Sequence, residues 1–253
     1  MIKSKNNSKI KLLRNLQLKK YRHKYKKYLV EGYQISLDYL KYSNNIDFAL
    51  VSEEFNKLDD VKKIKQNLEI HIVKKDIFNK TSDTKNSQGI ILVVSFEDYK
   101  IDEIIQKKNI ILIDGIQDPG NLGTIIRTGD AFNIGGIITL ENTVDLYNNK
   151  TVRASMGSIS RLPIVVSHDN DEILEKLKIS GFKIFSSTPR YNVNIKYLDF
   201  KEKIALVIGN EGSGVSEKIL CKSHELVGIE MKGDIESLNA GIAAAILIYE
   251  ITS

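Results

Sequence analysis

The sequence predicts an α/β protein with two domains, a small N-terminal one and a larger C-terminal one. Short apolar runs typical of buried strands alternate with helical segments along nearly all of its 253 residues. In the C-terminal part, three glycine-punctuated polar segments each follow such a run, at residues 114–127, 208–214 and 229–239. Because ligands of open α/β sheets bind at the carboxyl ends of the strands, these segments predict a ligand site.

The net charge divides the chain in a similar way. Residues 1–100 hold 21 Lys and Arg against 12 Asp and Glu, a net charge of +9, whereas residues 101–253 carry −4. A basic part joined to a mildly acidic part indicates that the first one binds a polyanion. We therefore predict an RNA substrate-binding domain over residues 1–96, a charged linker over 97–108 and a second domain over 109–253.

The N-terminal part begins with a helix, on one face of which Ile10, Leu13 and Leu16 can lie. A basic run interleaved with tyrosines follows. Lysines can neutralise phosphates and tyrosines can stack on unpaired bases, so this run predicts contact with RNA. The alternative is a solvated helix whose tyrosines pack inward. The candidate RNA-binding residues are Lys19, Lys20, Arg22, Lys24, Lys26 and Lys27.

Strands and helices then alternate up to the linker. This alternation predicts a small three-layer α/β domain. Helices are expected at 34–42 and near 61–66. The predicted strands cover residues 28–32, 48–52, 70–73 and 89–95.

The C-terminal part opens with an apolar run at residues 109–114, typical of a strand buried on both faces. A tight turn at 118–120 follows, and Asn121 is expected at the N-cap of a helix that runs to about Asn133. Arg127 lies on a polar face of this helix with Thr124 and Thr128. The predicted packing face consists of Leu122, Ile125, Ile126, Gly129 and Phe132.

The last helix is expected at about residues 237–251 and is apolar on almost every side, so it must be buried in this chain or against a second copy. Gly241 and Ala245 permit close approach of another helix. This spacing favours a homodimer, although ordinary core packing would also explain it. The remaining predicted strands cover 136–140, 162–166, 183–187, 204–208 and 226–231.

Composition argues against several classes of site. A single cysteine, Cys221, rules out an intramolecular disulfide, and the four scattered histidines lack metal-ligand spacing, so we predict no metal. Residues 209–214 have the glycine order GxxGxG rather than the dinucleotide fingerprint, and no P-loop occurs. Because no apolar stretch could span a bilayer and no signal region is seen, we expect no membrane partner and a cytoplasmic location.

Together these segments resemble the SpoU, or TrmH-type, RNA 2′-O-ribose methyltransferases of the SPOUT superfamily. Asn121 and Arg127 are similar to the family's first motif. Residues 30–32 and 88–89 are similar to its ribosomal-protein-like substrate-binding domain, and residues 153–163 to a connecting segment. The second and third motifs are matched by Gly209, Glu211 and Gly214, and by Ile229, Met231, Gly233, Ser237, Leu238 and Asn239.

The resemblance implies an α/β fold with a C-terminal trefoil knot, a homodimer, and S-adenosyl-L-methionine as the cofactor. It implies methyl transfer to a ribose 2′-hydroxyl of RNA, most consistent with ribosomal RNA because transfer-RNA members generally lack the basic domain. The implied catalytic residues are Arg127, Asn121, Glu211, Ser237 and Asn239. The implied cofactor-binding residues are Gly209, Gly214, Ile229, Met231, Leu238 and Asn239. The glycines at 209, 212 and 214 are expected to let backbone amides approach the cofactor closely.

The chain departs from the family pattern at two places. Glu230 stands where the family usually has proline, and Ala240-Gly241 replaces a Val-Ser pair. The first departure leaves a non-catalytic RNA-binding or assembly protein as an alternative, beside a transfer-RNA methyltransferase. Because arginine stays protonated in proteins, we expect Arg127 to clamp a phosphate rather than act as the base. The proton acceptor is left open among Glu211, an RNA phosphate and water.

Overall fold

The computed structural model describes residues 1–84, 87–191, 193–198, 202–235 and 237–253. The chain divides into two compact units, Met1–Glu97 with Asp145–Arg161, and Asp98–Val144 with Leu162–Ser253. The predicted division differs in two respects: it assigns residues 145–161 to the C-terminal domain, and it treats residues 98–108 as a linker although they belong to the second unit. The predicted linker also contains a short helix, Ile101–Ile104.

The elements alternate along the chain as the apolar pattern predicts. The strands are β1 (Lys27–Glu31), β2 (Ile46–Ser52), β3 (Ile70–Val73), β4 (Ile90–Ser95), β5 (Asn109–Asp114), β6 (Gly136–Thr139), β7 (Ile164–Val166), β8 (Phe182–Ser187), β9 (Val193–Asn194), β10 (Lys203–Gly209) and β11 (Glu225–Gly228). The helices are α1 (Ser8–Leu16), α2 (Lys19–Tyr25), α3 (Tyr33–Tyr42), α4 (Leu58–Ile64), α5 (Lys75–Asn79), α6 (Ile101–Ile104), α7 (Pro119–Ala131), α8 (Asn149–Ala154), α9 (Asn170–Ile179), α10 (Glu217–Leu220) and α11 (Ala240–Thr252). Single 3-10 turns occur at Ser158–Ser160 and Ile195–Tyr197.

The first unit is built on a four-stranded sheet with the order β1-β4-β2-β3. β4 pairs antiparallel with both β1 and β2, and β3 adds to β2 in parallel. The predicted apolar face of α1 is confirmed, because Ile10, Leu13 and Leu16 are fully buried against this sheet. Their spacing of three residues places them on one side of the helix, which fixes α1 to the core.

Residues 145–161 belong to the first unit through ion pairs and ring contacts. Asp145 pairs with Arg22 at 2.6 Å, Arg153 with Asp83 at 2.9 Å, and Arg161 with Asp38 at 3.3 Å. Tyr147 stacks on Phe96 with ring centroids 3.8 Å apart and lies 4.5 Å from the ring of Tyr28. The segment therefore packs with residues far earlier in the sequence, which local pattern cannot indicate.

The second unit is built on a seven-stranded sheet with the order β7-β6-β5-β10-β8-β11-β9. Every pairing between these strands is parallel. β5 and β10 lie at its centre and are buried along almost their whole length, as the continuous apolar runs predict. Because all seven strands run the same way, their carboxyl ends lie along one edge of the sheet.

Two element boundaries that bear on the third polar segment differ from the prediction. The last strand ends at Gly228 rather than Met231, so that Ile229 and Met231 lie in the following loop. The last helix begins at Ala240 rather than Ser237, because the Asn239 side chain accepts hydrogen bonds from the amides of Gly241 and Ile242 and caps the helix there. Both shifts lengthen the loop of the third polar segment.

Candidate active site

The first two polar segments meet at the carboxyl ends of β5 and β10. Gly209 lies opposite Asp114 in the parallel register of the two strands. The Asn210 side chain donates from Nδ2 to the Gly115 carbonyl at 2.7 Å and accepts from the Gly212 and Ser213 amides at 2.8 and 3.1 Å. The buried Asp114 carboxylate accepts from the Ser216 amide at 2.7 Å. These side chains hold the two segments together.

Glycine is required at 209 because the loop folds back on itself. A Cβ at Gly209 would lie 2.2 Å from the carbonyl carbon of Gly214 and 2.2 Å from the amide nitrogen of Val215. The backbones of 210 and 214 also exchange two hydrogen bonds, at 3.0 and 2.9 Å, and Gly214 has a φ of +71°. The glycine at 209 therefore makes room for the loop's own backbone, rather than for ligand alone as the sequence suggested.

The start of α7 holds the carboxylate of the second segment. Asp118, not Asn121, is the N-cap, since its side chain accepts from the Asn121 amide at 2.9 Å. The prediction of Asn121 at the cap is therefore wrong. Asn121 lies in the first turn, where its Nδ2 donates to Glu211 Oε1 at 2.9 Å. The amides of Gln117 and Asp118 donate to the same carboxylate at 3.1 and 3.2 Å.

These hydrogen bonds decide the ionisation of Glu211. Partial burial acts to raise the pKa of its carboxyl group, but the hydrogen bonds from Asn121 and from backbone amides outweigh that effect. The pKa of Glu211 is consequently lowered below its ordinary value. Glu211 is therefore a carboxylate at neutral pH, and a weaker proton acceptor than an unconstrained glutamate.

Arg127 is exposed on α7, six residues beyond Asn121 and thus about 9 Å further along the helix axis. Among the described residues it has no carboxylate within ion-pair distance. Thr124 and Thr128 on the same helix are half-buried, and the predicted apolar residues around them are buried. Phe132 is the exception, since it is 40% exposed and contacts the ring of Tyr249 instead of entering the core.

The third segment leads into α11, which packs on α7 of the first segment. The site for a Cβ at Gly241 lies 3.3 Å from Asn121 Oδ1 and 3.3 Å from Thr124 Cβ, so glycine allows α11 to pack closely on α7. β11 lies two strands from β10, which places the carboxyl ends of these two strands roughly 10 Å apart at the same edge. Ser237 and Asn239 are exposed, and Glu236 lies outside the described residues. The half-buried apolar side chains of this segment are Ile229, Met231 and Leu238.

Sequence reasoning missed three residues that organise the site. Asp114, Asp118 and Asn210 make the side-chain hydrogen bonds described above. Each is a polar residue within four positions of a strand end, which is the signal that could have identified them. Their role is to fix loop geometry, so they carry no reactive group of their own into the site.

The basic run of the first unit is only partly available to a ligand. Lys19, Lys20, Lys24 and Lys26 are exposed. Arg22 is buried, pairs with Asp145 and donates to the carbonyls of residues 16 and 17 at 3.0 and 2.9 Å. The prediction of Arg22 as an RNA-binding residue is therefore wrong, because its guanidinium is engaged within the fold. Lys27 is partly covered in β1 and pairs with Asp47.

The described part of the chain contains neither a metal-binding cluster nor a membrane span. No group of three or more His, Cys, Asp or Glu side chains is placed to hold a metal ion there. Within the same residues, no helix is both long enough and apolar enough to cross a membrane.

Comparison with known proteins identifies the two parts of the chain separately. Residues 108–249 match the model of the SpoU rRNA methylase family, and residues 7–92 match an MRM3-like substrate-binding domain. The chain is 32% identical over 250 residues to the 23S rRNA (guanosine(2553)-2′-O)-methyltransferase RlmP of Bacillus subtilis, covering 99% of this chain and 98% of that protein.

Solved structures show the same fold. The AdoMet-bound rRNA methyltransferase from Sinorhizobium meliloti is 26% identical, with a TM-score of 0.89, and the match covers 99% of this chain and 96% of that one. The TrmH/SpoU tRNA-modifying enzyme of A. aeolicus is 26% identical, but its match covers only 59% of this chain and 78% of its own, with a TM-score of 0.50. The chain belongs to the SpoU rRNA methylase family and is an S-adenosylmethionine-dependent RNA methyltransferase, as its motifs predicted.

Proposed function

We propose that this enzyme methylates the 2′-hydroxyl of a guanosine ribose in 23S ribosomal RNA. The observation that carries the proposal is the full-length match to a protein named for that reaction, which includes the whole basic first unit. The match to the transfer-RNA enzyme of the same family covers 59% of the chain. A transfer-RNA substrate is therefore the less favoured alternative. A ribosomal substrate also implies that the enzyme works in the cytoplasm.

The strand-end loops of the second unit fit S-adenosylmethionine. The cofactor supplies a methyl group already made electrophilic by its sulfonium centre. The loop between Gly209 and Gly214 presents exposed polar groups at the carboxyl end of the central strand β10. The side chains of Ile229, Met231 and Leu238 offer half-buried apolar surface in the loop that follows β11. A cofactor that combines a flat adenine ring with hydroxyl, ammonium and carboxylate groups matches this combination of apolar and polar surface.

Arg127 is proposed to hold the RNA phosphate next to the reacting ribose. Its guanidinium has no competing carboxylate among the described residues, and its exposure leaves it open to a bidentate contact. Because the guanidinium remains protonated, it orients and polarises the substrate rather than removing a proton. Orientation of this kind can supply a large part of the rate acceleration.

Glu211 and Asn121 are proposed to position the site rather than to carry the proton. The carboxylate of Glu211 is committed to hydrogen bonds from Asn121 and two backbone amides, and its lowered pKa makes it a poor acceptor at neutral pH. Asn239 caps α11 and thereby sets where the third segment ends. Ser237 is exposed and remains a candidate for contact with substrate. An RNA phosphate or water is left as the proton acceptor.

We further propose that the enzyme is a homodimer with the knotted C-terminal fold of its family. One face of α11 is buried within the second unit through Ala244, Leu247 and Ile248. Its other face leaves Ile242 and Tyr249 more than half exposed, with Phe132 of α7 beside Tyr249. An apolar face of this kind on a helix is typical of a surface covered by a partner subunit. Analytical ultracentrifugation of the full chain tests it, and a monomer at micromolar concentration would contradict it.

The decisive experiment for the function maps 2′-O-methylation in ribosomal and transfer RNA from cells with and without this protein. We expect one guanosine of 23S rRNA to lose its methyl group in the deletion strain. Re-expression should restore the mark. Loss of a mark in transfer RNA alone would establish the alternative substrate. An unchanged methylation map, together with absence of S-adenosylmethionine binding by calorimetry, would instead show a non-catalytic member of the family.

A further inference from the structure

A cleft of about 530 Å³ opens on the first unit. The residues that line it lie outside the basic run of residues 19–27. It lies where β1, β2 and β3 end and β4 begins. Tyr33 follows β1, Phe55 follows β2, Lys75 follows β3, and Gly89 directly precedes β4; all four residues line the cleft. The cleft therefore collects side chains from four loops that the sheet brings to one edge.

Two aromatic rings form the apolar part of the cleft. The ring centroids of Tyr33 and Phe55 are 6.0 Å apart, with the rings tilted by 59°. Both side chains are only half-buried, so part of each ring is open to a ligand. The Lys57 ammonium lies 4.3 Å from the Tyr33 ring centroid. An aromatic pair left open beside a lysine is an unusual arrangement for a structural core, where rings are covered by apolar neighbours.

The backbone beneath the rings is held in a defined shape. Gly32 and Gly89 have φ values of +117° and +79°, which favour glycine. The site for a Cβ at Gly89 lies 3.2 Å from the Phe55 ring, so the ring rests directly on this glycine. The Gln88 side chain accepts from the Tyr33 amide, and the Ser52 amide donates to the Gly89 carbonyl at 2.9 Å. These contacts fix both rings relative to the sheet.

The charges in the cleft leave one cation without a carboxylate partner within the described part of the chain. Lys75 pairs with Glu54 at 2.9 Å and is neutralised locally. Lys57 has no carboxylate partner among the described residues, and its ammonium contacts the Tyr33 ring. The rim also carries the amide side chains of Asn56 and Asn79. The cleft thus offers a stacking surface, amide donors and acceptors, and an ammonium available to an anion.

We propose that this cleft binds a single unpaired base of the RNA substrate, stacked on Phe55 and Tyr33, with Lys57 on the adjoining phosphate. The proposal rests on the proposed function in taking RNA as the ligand. Single-stranded RNA is recognised by stacking of splayed bases on aromatic rings, with hydrogen bonds to base edges and cations on the backbone. The three kinds of group present in the cleft correspond to those three contacts.

The test measures binding of a single-stranded RNA decamer of mixed sequence to the full chain, beside a decamer whose four central positions lack bases. The double variant Tyr33→Ala/Phe55→Ala should bind the intact decamer roughly tenfold to a hundredfold more weakly, the effect expected when base stacking is removed. Binding of the abasic decamer should not change between wild type and variant. Tyr42→Ala, an exposed tyrosine of α3 that does not line the cleft, is the matched control and should bind as wild type.

Phe55→Trp keeps the proposal testable if the double variant unfolds. The natural chain contains no tryptophan, so the introduced indole is the sole tryptophan reporter of that variant. Its fluorescence should be quenched by the intact decamer and not by the abasic one, with affinity retained because indole also stacks. Lys57→Ala should lower the slope of log K against log salt by about 0.7, whereas Lys62→Ala on exposed α4 should not.

Equal binding of intact and abasic decamers by wild type, or unquenched indole fluorescence in the Phe55→Trp variant, would overturn the proposal. This outcome is distinguishable from failure of the proposed function. Cellular methylation mapping can show no ribosomal mark while base-dependent decamer binding persists, and it can show the mark while the cleft variants bind normally. The first result would contradict the proposed function and leave the cleft as a base-binding site. The second would contradict base binding by the cleft and leave the proposed function intact.

Discussion

The basic run of the first unit and the strand-end site of the second each contain an arginine, and the two arginines are used in opposite ways. Arg22 is 3% exposed and is surrounded by a carboxylate and two backbone carbonyls. Arg127 is exposed on a helix and has no carboxylate partner among the described residues. A guanidinium whose donors are engaged stabilises the fold, whereas one with free donors can bind a phosphate.

The difference between them is set by a residue distant in sequence. Asp145, which holds Arg22, lies 123 positions further along the chain. Both arginines occur on helices among polar neighbours, so local pattern treats them alike. Sequence therefore identifies candidate phosphate-binding cations, and tertiary contact decides which of them are free. Substitutions in the two regions should separate structural groups from ligand-binding ones.

The largest effect on stability is expected for Arg22→Ala. The substitution leaves the buried Asp145 without its guanidinium partner, which typically costs about 3–5 kcal/mol of unfolding free energy. Chemical denaturation followed by circular dichroism measures it. Lys24→Ala, two positions away and exposed, is the control and should change stability little. A stable Arg22→Ala protein with weakened RNA binding would return Arg22 to the RNA-binding set.

The largest effect on catalysis is expected for Arg127→Ala. Loss of an oriented charge clamp should lower single-turnover methyl transfer by about 10²- to 10³-fold. S-adenosylmethionine affinity, measured by calorimetry, should be nearly unchanged because the proposed cofactor loops lie elsewhere on the sheet edge. Arg127→Lys should restore little, since one ammonium cannot reproduce a planar two-point contact. A near wild-type rate, or earlier loss of cofactor binding, would contradict this role.

The fold could be predicted from sequence to a large extent, because buried parallel strands leave continuous apolar runs. The strands β5 and β10 and the apolar face of α1 follow directly from such patterns. The grouping of residues 145–161 with the first unit does not, since it depends on ion pairs and ring contacts across long separations. The predicted N-cap of α7 is wrong because Asp118 and Asn121 are both good capping residues, and only geometry shows which one accepts the amide hydrogen bond.

The sequence predicts which residues form the site, but not the contacts between them. The motifs put Asn121 and Glu211 on the same sheet edge, but the direct hydrogen bond between them is seen only in the folded structure. The reason for Gly209 also differs from the expectation. Sequence suggested room for a ligand, and the structure shows the loop's own backbone in that space. Glycine patterns indicate where the backbone is closely approached, but not whether the approaching group is a ligand or the protein's own backbone.

Gly209→Ala tests whether the loop's own backbone is the reason for glycine at this position. The added Cβ would lie 2.2 Å from the backbone at 214 and 215, which cannot move as a flexible side chain can. We expect a loss of about 1–3 kcal/mol of stability, typical of overpacking, together with loss of cofactor binding. Gly212→Ala is the matched control, because its Cβ would lie 3.6 Å from the nearest side-chain atom, an ordinary contact. Equal behaviour of the two variants would refute the packing explanation.

The exposed lysines of the first unit should show a smaller effect, shared among several residues. Replacement of Lys19, Lys20, Lys24 and Lys26 by alanine should reduce the slope of log K against log salt by about 0.7 to 0.9 for each phosphate that is no longer neutralised. Lys27→Ala should change the slope less, because Lys27 pairs with Asp47 in the fold. Filter binding of ribosomal RNA fragments at several salt concentrations measures the slope. An unchanged slope would show that these lysines form a solvated surface that does not contact RNA phosphates.

The smallest effect is expected for the pH dependence set by Glu211. Its pKa in the folded protein is lowered, because hydrogen bonds from Asn121 and backbone amides outweigh partial burial. Its contribution to stability is therefore fully present above the ordinary value of 4.5 and is lost as the pH falls through the lowered value. Thermal unfolding from neutral pH down into the acid range should show this loss in wild type, and Glu211→Gln should lack the part due to this group.

The same lowered pKa predicts how methyl transfer depends on pH. Glu211 stays ionised throughout the neutral range, so its titration should not appear in the pH dependence of the single-turnover rate there. Wild type and Glu211→Gln should therefore show the same inflections near neutral pH. Glu211→Asp retains the charge but shortens the reach to Asn121, and should weaken cofactor binding without adding an inflection. An inflection near neutral pH that vanishes only when the carboxyl group is removed would identify Glu211 as the proton acceptor. The hydrogen bonds to this carboxylate would then have to be released in the complex with RNA, which is the opposite of the positioning role its contacts support.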